Sequence, residues 1–154
     1  MKNYKHAYWL NKNGEPCYTI FITPTEELTE AINNNNAIVL DDVHDFIKTS
    51  DRNLNFLSAY VFDFENKNIS INIEVAKNII LDSIRIRRNI ILKELDVEQL
   101  KCITNVDKLA KVESVKQQLR DLPDQLLNSM SNCENLVDLK HIFPPILNTY
   151  KEMI

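Results

Sequence analysis

Val75-Ala-Lys-Asn-Ile-Ile-Leu-Asp-Ser-Ile-Arg-Ile-Arg-Arg-Asn-Ile-Ile-Leu-Lys-Glu-Leu95 decides the fold of this 154-residue chain. The stretch holds neither glycine nor proline, and its apolar residues recur at steps of three and four, the spacing of an amphipathic helix. Set at about 100° per residue around a helix axis, Ala76, Ile80, Ile84, Ile91 and Leu95 gather on one flank. Ile79, Ile86 and Ile90 fall on the adjoining flank. An apolar arc this broad predicts a helix covered on two sides, by a sheet and by another helix.

That other helix follows directly. Asn105 and Asp107 mark a turn, with Asp107 the expected N-cap, and Leu109, Val112, Val115, Leu119 and Leu122 make the next stripe. Two amphipathic helices joined by a short turn form an αα-hairpin. Pro123 disfavours helical backbone at Leu122, so the second helix is expected to stop there or a new one to begin with Pro123 at its first position. Asn132 is the expected cap of a further helix through Leu139, ended by Pro144-Pro145 before a last segment to Ile154.

Upstream the pattern is that of strands. Ala7-Tyr-Trp-Leu10 and Cys17-Tyr-Thr-Ile-Phe-Ile22 flank Asn11-Lys-Asn-Gly14, a hairpin signal. Thr25 to Asn34 reads as a short helix opened by Thr-Pro-Thr-Glu-Glu and stopped by the run Asn33 to Asn36. Ala37-Ile-Val-Leu40 is a third strand, and Leu54 to Phe64 with Ile69 to Ile73 a further pair around the turn Glu65 to Asn68. The expected class is α+β: a small, mostly antiparallel N-terminal sheet with one helix, then a C-terminal αα-hairpin and short terminal helices. Residues 1–74 are assigned to the first domain and 75–154 to the helical module.

Composition narrows the function. With 44% apolar and 26% charged residues the chain has the make-up of a soluble globular protein. No apolar run is long enough to span a membrane, and Met-Lys-Asn-Tyr-Lys-His lacks the apolar core of a signal peptide, so the expected site is the cytosol or a particle assembled there. Cys17, Cys102 and Cys133 are odd in number and widely spaced, as free thiols in a reducing compartment are. A single glycine, Gly14, excludes glycine-rich phosphate and dinucleotide loops. The 19 Asn and 18 Ile, with abundant Lys, agree with an AT-rich genome. Net charge is segregated: -5 over residues 1–76, +4 over 77–120 and -3 over 121–154. A basic middle between acidic flanks suits docking within the chain, between copies in a homo-oligomer, or onto an acidic partner.

The charged residues pose sharper questions. Arg85 and Arg88 share a face with Leu81, Leu92 and Asp96, whereas the same wheel sets Arg87 inside the apolar arc beside Glu94. A guanidinium there must find carboxylates or carbonyls, so Glu94 or Asp121 is expected to pair with one of these arginines and fix the hairpin's register; otherwise the arginine stems lie over apolar surface with their heads in water. Arg85-Ile-Arg-Arg88 is too short, in too acidic a chain, to make a nucleic-acid surface. Asp41-Asp42-Val-His44-Asp45 matches no standard metal spacing and reads as a solvated acidic loop. Tyr60, Phe62 and Phe64 alternate as one face of a strand, and Trp9 reads as a core or edge residue. No serine, cysteine or histidine stands in a nucleophile context, and no catalytic residue, cofactor or metal is expected.

Three blocks in order carry a resemblance. Arg85, Arg88, Asn89, Leu92 and Asp96 form the first; Gln117, Leu119, Arg120 and Asp121 the second; Leu136, Leu139, Lys140, Phe143 and Pro144 the third. Together they resemble the C-terminal helical module of tailed-phage tail proteins, including tail-fibre assembly chaperones, over residues 79–147. Val97, Phe143 and Val115 depart from the aromatic residues that many relatives carry. The resemblance implies a non-enzymatic protein that holds or caps a tail or tail-fibre component in the host cytoplasm during assembly, or else a permanent virion subunit such as an adaptor in the tail. It implies partner binding through Arg85, Arg88, Leu92, Asp96, Leu119 and Arg120, with no nucleic acid and no membrane involved.

Overall fold

A computed structural model describes residues 4–42 and 56–154. The chain divides into two compact units, Met1–Ala76 and Lys77–Ile154. In the first, β1 (Lys5–Leu10) is the centre of a three-stranded antiparallel sheet, between β2 (Pro16–Phe21) and β3 (Ala37–Leu40). Asn11 builds the β1–β2 turn by accepting from the Asn13 and Glu15 amides, both at 2.9 Å, while Gly14 takes the left-handed φ of 78° that the tight return needs. Between β2 and β3 runs α1 (Glu26–Asn33). Its cap is Thr25, whose hydroxyl accepts from the Leu28 amide at 3.3 Å, and its end is set by Asn35 at φ 56°.

Strand alternation gives the sheet two apolar faces. Ala7, Trp9, Cys17, Phe21, Ala37 and Val39 pack with Leu28, Ala31 and Ile32 of α1. On the other face Tyr8 stacks on Tyr18, centroids 5.0 Å apart, and meets the edge of Phe62 at 6.3 Å. Phe62 belongs to a separate hairpin of β4 (Tyr60–Asp63) and β5 (Asn68–Ile71). The strand run expected from Leu54 is therefore shorter: Leu57–Ala59 is a 3-10 turn, and Leu54 and Asn55 lie outside the described residues.

The second unit is helical. α2 (Ile73–Lys101) takes in Ile73, expected to end a strand, because the Asn72 side chain accepts from the Glu74 and Val75 amides at 3.2 Å and caps the helix. α3 (Val106–Met130) is capped by Asn105, not Asp107. It runs through Pro123 instead of stopping there, since Leu119, Leu122, Leu126 and Met130 continue one buried stripe across the proline. Burying each side chain of that kind stabilises by about 1.5–3 kcal/mol, enough together to outweigh a proline penalty of about 3 kcal/mol. α4 (Leu136–His141) is capped by Asn135 in place of Asn132, and α5 (Ile146–Thr149) leads into a 3-10 turn at Tyr150–Glu152. Among the described residues no helix is long and apolar enough to cross a membrane. Pro123→Ala restores an amide donor toward the Leu119 carbonyl, and is expected to raise the stability of the helical unit by about 1–2 kcal/mol, net of the lost ring contacts, in urea unfolding followed by circular dichroism.

Candidate protein-binding site

Where Val112, Val115 and Leu119 make the inner stripe of α3, Lys116 falls among them, four residues after Val112 and three before Leu119. It is the buried charged residue among the described side chains, 5% exposed. Its ammonium lies 2.8 Å from Asp96 Oδ1 and 3.8 Å from Glu113 Oε1, and donates to Gln99 Oε1. Gln99 Nε2 in turn donates to Glu113 Oε1, closing the ring. Asp96 meets Lys116 while Gln99, three residues further along α2, meets Glu113, three residues back along α3. That is an antiparallel pairing in one register. Of the ammonium's three donors, Gln99 and Asp96 take close contacts, and Glu113 adds its charge at 3.8 Å.

Arg87 makes no close ion pair with Glu94 or Asp121 among the described residues, and only its charge, acting at longer range, helps to lower the Glu94 pKa; Ile86 and Ile90, the flank expected to be covered, are exposed, so the guanidinium beside them stands in water. Glu94 instead accepts from the Tyr150 hydroxyl, with Lys151 Nζ 3.6 Å away, which ties the C-terminal segment to α2. The Tyr150 hydrogen bond, helped by Lys151, holds the Glu94 carboxyl below the usual carboxylate range. Asp121 is exposed and accepts from Gln117 Nε2 at 2.8 Å on its own helix. The register thus rests on a lysine that the wheel could have picked out from its stripe position, not on an arginine.

The residues expected to bind a partner separate into two groups. Leu119 is fully buried and Asp96 is committed to Lys116, so both serve the hairpin itself. Arg85, exposed, meets Asp82 at 3.1 Å; Arg88, half-buried, holds Asn89 Oδ1 at 3.0 and 3.2 Å; Leu92 is half-buried and Arg120 exposed. Arg120 is one turn beyond Lys116 on α3, as Leu92 is one turn before Asp96 on α2, so the antiparallel register sets them side by side. Elsewhere the helices leave apolar surface bare: Ile86 (64%), Ile90 (46%), Val97 (52%) and Leu100 (71%) along α2, then Ile103 and Val106 at the hairpin tip. A groove of about 540 Å³ opens beside this strip, lined by Leu95, Val97, Glu98, Lys108, Tyr150 and Ile154 among others. In the acidic run, Asp41 lies 3.9 Å from Lys5, whereas His44 and Asp45 are outside the described residues. No protein-family model, curated protein or solved structure matches this chain.

Two outcomes check these contacts. Removing Asp96 and Glu113 together by alanine strands the Lys116 ammonium and is expected to destabilise the helical unit by about 1–3 kcal/mol, whereas Lys116→Met, which removes the charge itself, leaves thermal stability nearly unchanged. Folding lowers the Glu94 pKa, so its ionised form supports the fold above the ordinary glutamate value, about 4.3, and that support is lost as pH falls through the depressed value. The stability difference between the native chain and Tyr150→Phe should therefore shrink on acidification, as read from urea midpoints.

Proposed function

We propose that this protein is a non-enzymatic, phage tail-associated assembly protein whose helical hairpin holds a tail or tail-fibre component. The observation that carries the reading is the cationic side of the hairpin: Arg85, Arg88 and Arg120 stand around the half-buried Leu92, and among the described carboxylates only Asp82 pairs with any of them. Guanidinium groups with donors to spare around an apolar centre make the polar rim of a protein interface, and favour a partner surface rich in carboxylates or free carbonyls. The three sequence blocks that resemble tail-fibre assembly chaperones fall on this same hairpin and on the helix after it. The bare tip, Ile103 and Val106, extends the surface with apolar contact area.

Capture of the neighbouring large tail or fibre product by the tagged chain tests the proposal. The native chain is expected to retain that product, and the triple variant Arg85→Glu, Arg88→Glu, Arg120→Glu to lose at least about tenfold in apparent affinity, about 1.4 kcal/mol. Undiminished capture by the triple variant, or none by the native chain, overturns it.

A further inference from the structure

Ile86, Ile90, Lys93, Val97 and Leu100 follow one another at spacings of four, three, four and three, and the same alternation reaches back through Ser83 to Ile79. That is the d and a sequence of a coiled-coil heptad, laid on a flank of α2 separate from the buried stripe of Ala76, Ile80, Ile84, Ile91 and Leu95. Four of its members are bare apolar side chains. The positions beside the seam carry charge in a set order. Asp82, Asn89 and Asp96 occupy g, and Arg87, Glu94 and Lys101 occupy e.

We infer that this seam binds a second copy of the same chain, with the two α2 helices parallel. In a parallel pair each g residue faces the e residue of the following heptad on the other helix. Asp82, with one oxygen on Arg85 of its own chain, then turns the other to Arg87 of the second copy, Asn89 meets Glu94, and Asp96 meets Lys101, which shares its ammonium with Glu98, each opposition occurring twice by symmetry. Arg87, whose charge within the chain acts on Glu94 only at long range, gains a carboxylate at close distance. Asp96 keeps Oδ1 on Lys116 and has most of its side chain in solvent, so its second oxygen is available to Lys101. The antiparallel arrangement that keeps the seam in register offers only Arg87 against Glu94, and gives Asp82 and Lys101, which pair within the chain with Arg85 and Glu98, no opposite charge on the second copy. Lys93, inside the seam, lays its stem over apolar surface and turns its ammonium outward, which holds the affinity down. Because α2 is already part of the hairpin, pairing does not have to nucleate a helix. The arginine side stays open in the dimer.

Sedimentation velocity of the full chain up to about 100 μM tests the inference. The native chain is expected to pass from monomer to dimer with concentration, and Ile90→Asp, with unchanged helical circular dichroism, to stay monomeric. Asp82→Lys and Arg87→Glu are each expected to weaken the dimer roughly tenfold, and the two together to restore it to within about threefold of native. In a Cys17→Ser background, Ile90→Cys should form a disulfide between copies on oxidation, as only a parallel pair brings that position to its own counterpart. A native chain monomeric throughout, a dimer that survives Ile90→Asp, failure of the double charge reversal to restore association, or cross-linking of Ile86→Cys to Val97→Cys but not of Ile90→Cys to itself overturns the inference. Absence of the dimer would leave capture of the tail component unaffected, so the two proposals fail separately.

Discussion

A buried ammonium can be placed in very few ways, and Lys116 is the residue around which the helical unit is arranged. It lies in an apolar stripe between Val112 and Leu119, where an unpaired charge would cost several kcal/mol. Two close acceptors from α2, Asp96 and Gln99, and the nearby Glu113 carboxylate from α3 relieve that cost, and the two helices present them together in one alignment. Hydrophobic stripes alone tolerate a shift of one helical turn, because leucine and valine pack against many neighbours. The ammonium does not. Once this alignment is fixed, so is the placing of Arg85, Arg88, Leu92 and Arg120 on one side and of Ile86, Ile90, Val97 and Leu100 on another.

Both ends of the unit depend on that alignment. At the tip, Glu98 is held by Lys101 at 2.7 Å and lies 3.9 Å from Lys108, a link across the turn between α2 and α3. Further along, Tyr150 and Lys151 fasten the C-terminal segment to Glu94, with Leu147 and Tyr150 buried. The N-terminal unit obtains its order in a different way, from a central strand whose two faces are both apolar, one closed by α1 and the other holding the Tyr8, Tyr18 and Phe62 rings. Burial there also pushes the Tyr60 hydroxyl up to about 12, so that unit favours a neutral phenol far into alkaline conditions.

Much of this was legible from the chain. Asn11 to Gly14 as a turn, Thr25 as a helix start, Asn33 to Asn36 as a stop and the two amphipathic stripes all follow from local chemistry that tertiary packing had no reason to oppose. Helix ends were less legible, because Asn72, Asn105 and Asn135 cap where neighbouring residues seemed as suitable, and the choice among adjacent asparagines and aspartates depends on where the buried stripe begins. Pro123 misleads for a related reason: its local preference is real, but the buried residues on either side of it overrule it. Arg87 misleads because a helical wheel shows which residues are neighbours and not which flank will be covered. Lys116 was readable in principle, as a charged residue at a stripe position, but the acceptors that make it tolerable come from α2, far off in sequence.

The most direct measurement is the distance distribution between spin labels at the exposed positions Lys93 on α2 and Lys111 on α3, recorded by pulsed dipolar spectroscopy in the native chain and in Lys116→Met, both at concentrations low enough to keep copies apart. If the ammonium fixes the alignment of the helices, the native chain gives one narrow distribution, and the methionine variant, although folded, gives a broadened or shifted one. Equally narrow distributions at the same distance in both would show that the apolar stripes set the register by themselves, and would contradict the central role given to Lys116.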